Sequence, residues 1–357
     1  MIASLLLLAL AIVAPKDGAT VPTLRDGQKA YLEEKRSERF IRMDNPADRA
    51  KLLQIGATQK PLKLEWSGET NAVYELTVEA DGGAAESFSL TNRTTAYVTN
   101  LELGRAYRWT VRQSETGDLA TGTFTTESQP PRLLRAGGVS NFRDLGGWQT
   151  ADGKTVRENM IFRSAGLRSS SKTRGSLFRR TVELGDRRVT KEGVATLNRD
   201  FKVKTDLELR TPQETAGMAG TVLGEGVSWK NISFAAYDLI DNTVRGREPF
   251  AKIFEIFTKE ENYPVLMHCS GGRDRTGTLA FILNGLLGVG EDDLCRDWEA
   301  SVFSDAGMKF NSGNVQRLMD YLKTMPGETL QARIEAYVRG CGISEAEIAA
   351  FRSIMLK

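Results

Sequence analysis

A cysteine and an arginine separated by five residues lie in a glycine-containing stretch of the sequence. The stretch reads His268-Cys269-Ser270-Gly271-Gly272-Arg273-Asp274-Arg275-Thr276-Gly277. An apolar run, 263–267, precedes it with the length of a buried strand, and 276–289 follows with apolar residues at helical spacing. Backbone N–H groups converge in a tight loop between a strand and a helix, and the helix N-terminus adds partial positive charge. The sequence therefore predicts an anion site of phosphate size.

These residue types predict nucleophilic chemistry at phosphorus. Cys269 would lose its proton easily, since comparable sites lower a cysteine pKa from about 8.5 to roughly 3.5–7.5. Its thiolate would then form a phosphocysteine. Arg275 would bind two equatorial oxygens with its planar guanidinium, and Thr276 would stabilise the thiolate as a leaving group. The other loop residues predicted to bind the substrate phosphate are His268, Ser270, Gly271, Gly272, Arg273 and Gly277.

The alternative interpretation is a structural cysteine beside a strand end. A C-x5-R spacing alone arises easily by chance in a chain with three cysteines and many arginines. Two glycines for the turn, an Asp-Arg-Thr-Gly run that opens a helix and the preceding strand favour the catalytic interpretation.

The same loop resembles the H-C-x-x-G-K-D-R-T-G loop of the bacterial tyrosine phosphatase family, which also includes lipid phosphatases of intracellular pathogens. Residues 141–147, followed by Asp152-Gly153 and Arg163-Ser164, resemble the amino-terminal signature of that family. Residues 206–211 resemble its D-L-R-[ST] strand end, and the tail from about 329 to 356 resembles its carboxy-terminal helical region. The resemblance covers about 130–357. The family's loop lysine is replaced by an arginine at position 273, so a planar fork stands in place of a point charge.

The resemblance implies further binding residues. Asn141, Arg143 and Asp144 are assigned to the substrate-binding site. Arg143 and Asp144 are expected to brace the phosphate loop from behind, and a surface turn is the alternative.

The general acid has several candidates. Asp274 ranks first, because its family counterpart has been assigned the role of protonating the leaving group. Asp206 ranks second, with a structural partnership to an arginine as its alternative. Asp238 ranks third, and it lies with Asp241 on a loop of the kind that swings over the pocket in other cysteine phosphatases.

The chain of 357 residues is long enough for two domains, and 40% apolar with 26% charged residues is ordinary for a soluble protein. In 129–357, strand patterns alternate with helix patterns. This alternation predicts an α/β domain with a central, mostly parallel sheet flanked by helices, and the resemblance implies a cysteine-phosphatase domain. The reactive loop would lie at the carboxyl end of a central strand.

Residues 59–128 predict a small all-β sandwich that precedes this domain. Short segments of alternating apolar and polar residues are separated by turns rich in Gly, Asn and Ser. Residues 100–107 resemble the turn and following strand of fibronectin type III domains. We expect protein docking from this domain, with Trp66 and Trp109 in its core, and Pro130-Pro131 as a stiff connector.

The amino-terminal segments predict export and a helical arm. Residues 2–13 are apolar, too short to span a bilayer, and predict a signal peptide over 1–19. The protein is therefore expected to be periplasmic or secreted, with packing of an N-terminal helix as the alternative. Residues 20–58 are expected to form a partly helical arm or linker. In an exported chain, Cys295 and Cys341 can pair and leave Cys269 free, or both can remain unpaired.

Charge and composition restrict the partners. A net charge of +2 gives no reason to expect nucleic acid. A basic segment, 168–191, is a solvated loop or an approach for a polyanionic substrate or an anionic membrane surface. One histidine and no HExxH or CxxC motif predict no metal and no cofactor.

The expected substrate is phosphotyrosine in proteins, with phosphoinositides or inositol phosphates as the alternative. A phosphate-binding module without turnover is the second alternative, and the sequence leaves the oligomeric state open.

Overall fold

The computed structural model describes residues 9–83, 85–168, 189–234, 244–304 and 311–357. Within these residues the chain forms two compact units. The first contains the residues up to Arg25 together with Gln59–Arg132, and the second contains Asp26–Thr58 together with Leu133–Lys357. Residues 26–58, for which the sequence predicts an arm or linker, thus belong to the same unit as the reactive loop.

Two sheets form the first unit. The strands are β1 Ala11–Ala14, β2 Ala19–Val21, β3 Leu62–Ser67, β4 Val73–Ala80, β5 Ala85–Thr91, β6 Thr95–Val98, β7 Ala106–Gln113 and β8 Leu119–Thr126. The three-stranded sheet has the order β1-β3-β6, and the five-stranded sheet has the order β2-β8-β7-β4-β5. Alternating side chains of both sheets form one core, in which Trp66 and Trp109 are buried. The signal peptide over 1–19 stays a prediction, and the structure pairs residues 11–14 with β3.

Three short helices begin the second unit: α1 Asp26–Glu33, α2 Arg36–Asp44 and α3 Pro46–Ile55. Asn45 separates α2 from α3, and its side chain accepts hydrogen bonds from the N–H groups of Ala47 and Asp48. Pro46 follows at the first helical position, where its missing N–H costs nothing.

A five-stranded sheet is the centre of the second unit. Its strands are β9 Arg143–Asp144, β10 Ile161–Ala165, β11 Thr205–Glu208, β12 Ser228–Asn231 and β13 Val265–Cys269. The order is β12-β11-β13-β10-β9, and every pair is parallel except β9 with β10. All residues of β13 are buried, as expected for a central parallel strand that helices cover on both faces.

The remaining helices of the second unit are α4 Lys191–Arg199, α5 Val244–Phe257, α6 Arg275–Leu287, α7 Glu291–Glu299, α8 Ser312–Leu322, α9 Leu330–Gly340 and α10 Glu345–Met355. A 3-10 turn, Ala300–Phe303, follows α7 directly. The predicted α/β architecture with a largely parallel sheet is confirmed. In the parts of the chain that the structure describes, the helices lack the length or apolar character needed to span a bilayer.

All three cysteines are free thiols and buried. Because Cys295 and Cys341 are both free, the pairing that the sequence allowed is not formed, and the Cys295 sulfur lies 3.7 Å from the Met319 sulfur.

Candidate active site

The reactive loop connects the last residue of β13 to the first turn of α6, as its sequence predicts. Cys269 ends the strand and Arg275 begins the helix. Gly272 has a φ of +65°, and a Cβ atom there would lie 2.2 Å from the Ser164 carbonyl oxygen. Only glycine satisfies both conditions, so the loop can fold tightly against the end of β10.

The loop stabilises the Cys269 thiolate. Burial of the side chain opposes ionisation, but the Arg275 charge, the Thr276 hydroxyl and the N–H groups of Thr276 and Gly272 together lower its pKa below the ordinary value. The buried Thr276 hydroxyl has no other hydrogen-bond partner within the described chain, which leaves it for the thiolate. Convergence of these donors on one sulfur has the geometry expected of an anion site.

Arg275 is held by a carboxylate that the sequence reasoning missed. Its two terminal nitrogens donate to the two oxygens of Glu214 at 2.6 and 2.8 Å. Ser270 Oγ donates to the same carboxylate at 2.9 Å. Although burial acts in the opposite direction, Arg275, the Thr211 N–H and Ser270 lower the pKa of Glu214 to about 2. A guanidinium has five N–H donors, so this pairing fixes its plane and leaves donors for phosphate oxygens.

The outer side of the loop is fixed through its carbonyl groups. Asn141 Nδ2 donates to the Gly271 carbonyl at 3.1 Å, and Arg163 donates to the Gly272 carbonyl at 2.9 Å. Because these carbonyls are engaged by buried side chains, the N–H groups of the loop can face the thiolate. Asn141 therefore supports the loop from behind and is buried away from a substrate.

Asp297 of α7 joins the two buried arginines behind the loop. One of its oxygens accepts from Arg143 Nε at 2.9 Å, and the other accepts from Arg163. Burial would raise the pKa of Asp297, but the two guanidinium groups hold it below its usual value. Arg143 also donates to Asn141 Oδ1 at 2.7 Å, so it acts on the loop through Asn141 and Asp297.

Asp144 has a different position from the one expected. Its two oxygens accept hydrogen bonds from the N–H groups of Gly146 at 2.9 Å and Asn159 at 2.7 Å. These contacts fix the connection between β9 and β10. Adjacent residues of a strand point to opposite faces, so Asp144 does not share the direction of Arg143.

His268 and Asp206 form a buried pair inside the sheet. His268 Nε2 lies 2.6 Å from Asp206 Oδ1, and Nδ1 lies 3.5 Å from Glu208 Oε2. Burial lowers the pKa of His268, but the charges of Glu208 and Asp206 outweigh it and raise the value. The other oxygen of Asp206 accepts from the Thr221 hydroxyl. Both oxygens of Asp206 are thus engaged by structural partners, which favours a structural role over proton transfer.

Gly277 also has a structural position. A Cβ atom on it would lie 3.0 Å from the Trp298 ring and 3.2 Å from Arg163. Glycine here permits close packing of α6 on α7, which keeps Arg163 near the loop.

Asp274, the first candidate for the general acid, has a raised pKa. Burial raises its pKa to about 6, against the opposing charges of Arg275 and Arg163. Arg273 donates to both of its oxygens, at 2.9 and 2.8 Å, and favours the ionised form. The other acid candidates, Asp238 and Asp241, and most of the basic segment 168–191 lie outside the described residues.

Comparisons with known proteins place the chain in a family. Residues 134–357 match the model of a family described as the tyrosine phosphatase family. A protein of Cupriavidus necator with the provisional name tyrosine-protein phosphatase is 27% identical over 199 residues, which are 50% of this chain and 66% of the relative. The chain thus spans slightly less than two thirds of that relative.

Among solved structures, the core catalytic domain of the PP-IP phosphatase SIW14 from S. cerevisiae, in complex with citrate, is 19% identical. The match covers 45% of this chain and 80% of that domain, with a TM-score of 0.30.

Proposed function

Because the chain belongs to the tyrosine phosphatase family, we propose that it hydrolyses phosphomonoesters through a phosphocysteine on Cys269. The observation that carries this proposal is the place of Cys269 at the end of β13, in a tight loop that leads into α6 at Arg275. Arg275, Thr276 and the Gly272 N–H favour the thiolate there and lower its pKa. A protein that only binds phosphate needs the donors but not the nucleophile, so this arrangement favours turnover.

In the first step, the Cys269 thiolate attacks phosphorus and the bond from phosphorus to the ester oxygen breaks. Asp274 gives its proton to the departing oxygen, which leaves as an alcohol or phenol. Arg275 binds the equatorial oxygens and stabilises the charge that develops on them. Glu214 stays ionised and keeps the guanidinium plane in place.

In the second step, water attacks the phosphorus of the phosphocysteine. Asp274 takes a proton from this water, the bond from phosphorus to sulfur breaks, and the electron pair returns to Cys269 as a thiolate. The Thr276 hydroxyl and the loop N–H groups stabilise that thiolate, so inorganic phosphate leaves and the enzyme is restored.

Phosphotyrosine in proteins is the substrate that we propose first, supported by the family description and by the name of the Cupriavidus necator relative. Phosphoinositides or inositol phosphates are the second candidate. The feature that supports them is Arg273, a second cation within the loop, which pairs with Asp274 at 2.8 Å.

For the first unit we propose a fibronectin type III-like sandwich that docks the enzyme to a protein, in an exported chain. A contact near the start of β7 supports the sandwich: the Glu102 N–H donates to the Tyr107 hydroxyl at 2.8 Å. A tyrosine hydroxyl bound to the backbone a few residues upstream is typical of a tyrosine corner.

The test is phosphate release in the presence of EDTA from phosphotyrosine and phosphoserine peptides, phosphoinositide vesicles and inositol phosphates. Wild type is compared with Cys269→Ser and with Cys341→Ser, a control at a second buried cysteine. We expect release from at least one substrate that is lost in Cys269→Ser and kept in Cys341→Ser. Equal release from wild type and Cys269→Ser, or none from any substrate, would contradict the proposal.

A further inference from the structure

Helices α1–α3 lie outside the family match at 134–357 but inside the compact unit that contains the reactive loop. Among the charged side chains of this segment, that of Arg39 in α2 is completely buried. A buried guanidinium is costly unless charged and polar partners surround it. The partners of Arg39 therefore show which part of the unit α1–α3 pack against.

Arg39 connects α2 to both ends of α7. Its Nε lies 2.6 Å from a Glu299 oxygen, and a terminal nitrogen lies 2.6 Å from an Asp292 oxygen. The Glu299 side chain is also completely buried, and the Tyr31 hydroxyl donates to it at 3.3 Å. The fork of one arginine thus binds the first turn and the last residue of the same helix.

The C-terminal end of α7, where Glu299 lies, also supports the reactive loop. Glu299 follows two residues after Asp297, whose carboxylate holds Arg143 and Arg163 behind the loop. The next turn contains Ser301, whose hydroxyl accepts from Asn141 at 3.2 Å. Displacement of the C-terminal end of α7 would therefore move Asn141 and Arg163, the two side chains that bind the loop carbonyls.

A second contact attaches α1 to the same region. The Tyr31 ring meets Phe303 edge-on, with centroids 5.6 Å apart and planes at 81°. Helix α3 also packs on the turn 300–303. The end of α7 is therefore held between the loop supports on one side and α1–α3 on the other.

We propose that Arg39 is a positioning residue for the phosphatase reaction, acting through Glu299 and Asp297 on the reactive loop. The inference rests on the proposed function, and it assigns the appended helices to the catalytic machinery. Misplacement of reacting groups by about 1 Å can lower a rate on the order of 100-fold. A small shift of α7 is thus enough to matter at Cys269.

The experiment compares Arg39→Met with Arg36→Met in the full chain. Arg36 lies on the same helix and also pairs with α7, through Glu291, but that pair is partly exposed. The first readout is the alkylation rate of Cys269 by iodoacetamide against pH, followed by peptide mass spectrometry. The second is kcat and KM, and circular dichroism at the assay temperature verifies folding.

For Arg39→Met we expect the apparent pKa of Cys269 to rise and kcat to fall on the order of ten-fold or more, with a smaller change in KM. Arg36→Met should match wild type in both readouts. A folded Arg39→Met protein with the wild-type alkylation profile and kcat would overturn the proposal and leave Arg39 as a stability contact. If Arg39→Met does not fold, Glu299→Gln replaces it. A folded Glu299→Gln protein with the wild-type alkylation profile and kcat would then overturn the proposal.

Alkylation does not require turnover, so failure of the two proposals can be distinguished. A wild type that hydrolyses none of the substrates would contradict the proposed function. The difference in thiolate pKa between Arg39→Met and Arg36→Met would still decide the role of Arg39.

Discussion

Glu214 and Arg275 form a two-point pair beside the nucleophile, with nitrogen-to-oxygen distances of 2.6 and 2.8 Å. The pair holds the guanidinium before any substrate is bound. An arginine that must be oriented on each encounter would lose part of its binding energy to ordering. In the proposed reaction, Glu214 would therefore act through Arg275, without contact to the reacting atoms.

Substitution of Glu214 by Gln should weaken this orientation. The pair is partly exposed, so we expect a moderate loss in kcat/KM, on the order of ten-fold or about 1.4 kcal/mol. Steady-state kinetics would check it, with Glu345→Gln, a largely exposed glutamate, as control. Unchanged kcat/KM in Glu214→Gln would show that the loop alone orients Arg275.

The pH profile should depend on Asp274. The acid must be protonated, and its pKa is about 6, so kcat should fall as pH rises through that value. Asp274→Asn should remove the alkaline limb and lower kcat on the order of 100-fold. The measurement is kcat from pH 4 to 9 with a substrate that has a poor leaving group. If kcat of Asp274→Asn still fell with rising pH, another carboxyl group would be the general acid.

Asp206→Asn should change the pH dependence of stability. The folded protein raises the pKa of His268, so it binds that proton more tightly than the unfolded chain. The resulting stabilisation is complete below about pH 6.5, the pKa of a histidine in the unfolded chain. It is lost as the pH rises through the higher pKa of His268 in the folded protein.

Thermal melting of wild type and Asp206→Asn across this range measures the effect. The wild type should lose stability with rising pH, and Asp206→Asn should show a smaller change. Equal slopes in the two proteins would argue against a protonated His268 paired with Asp206.

Gly272→Ala should impair the loop in two ways. The left-handed conformation costs a residue with a Cβ about 1–2 kcal/mol, and the new Cβ would also overlap the Ser164 carbonyl. Gly153→Ala separates these effects, because Gly153 has a φ of +81° and a Cβ added there would meet nothing within 4 Å. We expect Gly272→Ala to lose activity and more thermal stability than Gly153→Ala. If both variants lost similar, small amounts of activity and thermal stability, the contact with the Ser164 carbonyl would not be important for the loop.

The sequence was sufficient to predict the reactive loop and its place between a strand and a helix, because that pattern is local. Cys269 and Arg275 stand at the two ends of one turn, and the apolar runs around them predict β13 and α6. The parallel sheet also followed from alternating strand and helix patterns.

The supporting residues could not be predicted, because their partners are distant along the chain. Glu214 is 61 residues from Arg275, and Asp297 is 134 residues from Arg163. A lone acidic residue has no periodicity that identifies its partner. A weak indication for Glu214 was its position shortly after the family-like strand end at 206–211.

The second unit is built from two separate stretches of chain, 26–58 and 133–357. A gene fragment that starts at Leu133 would encode the reactive loop without the arginine that Asp292 and Glu299 bind. An expression fragment for the whole unit must start before Asp26 and carry the intervening β-rich segment or a designed replacement. Recombination at a single breakpoint cannot exchange either unit as a whole, since the coding sequences of the two are interleaved.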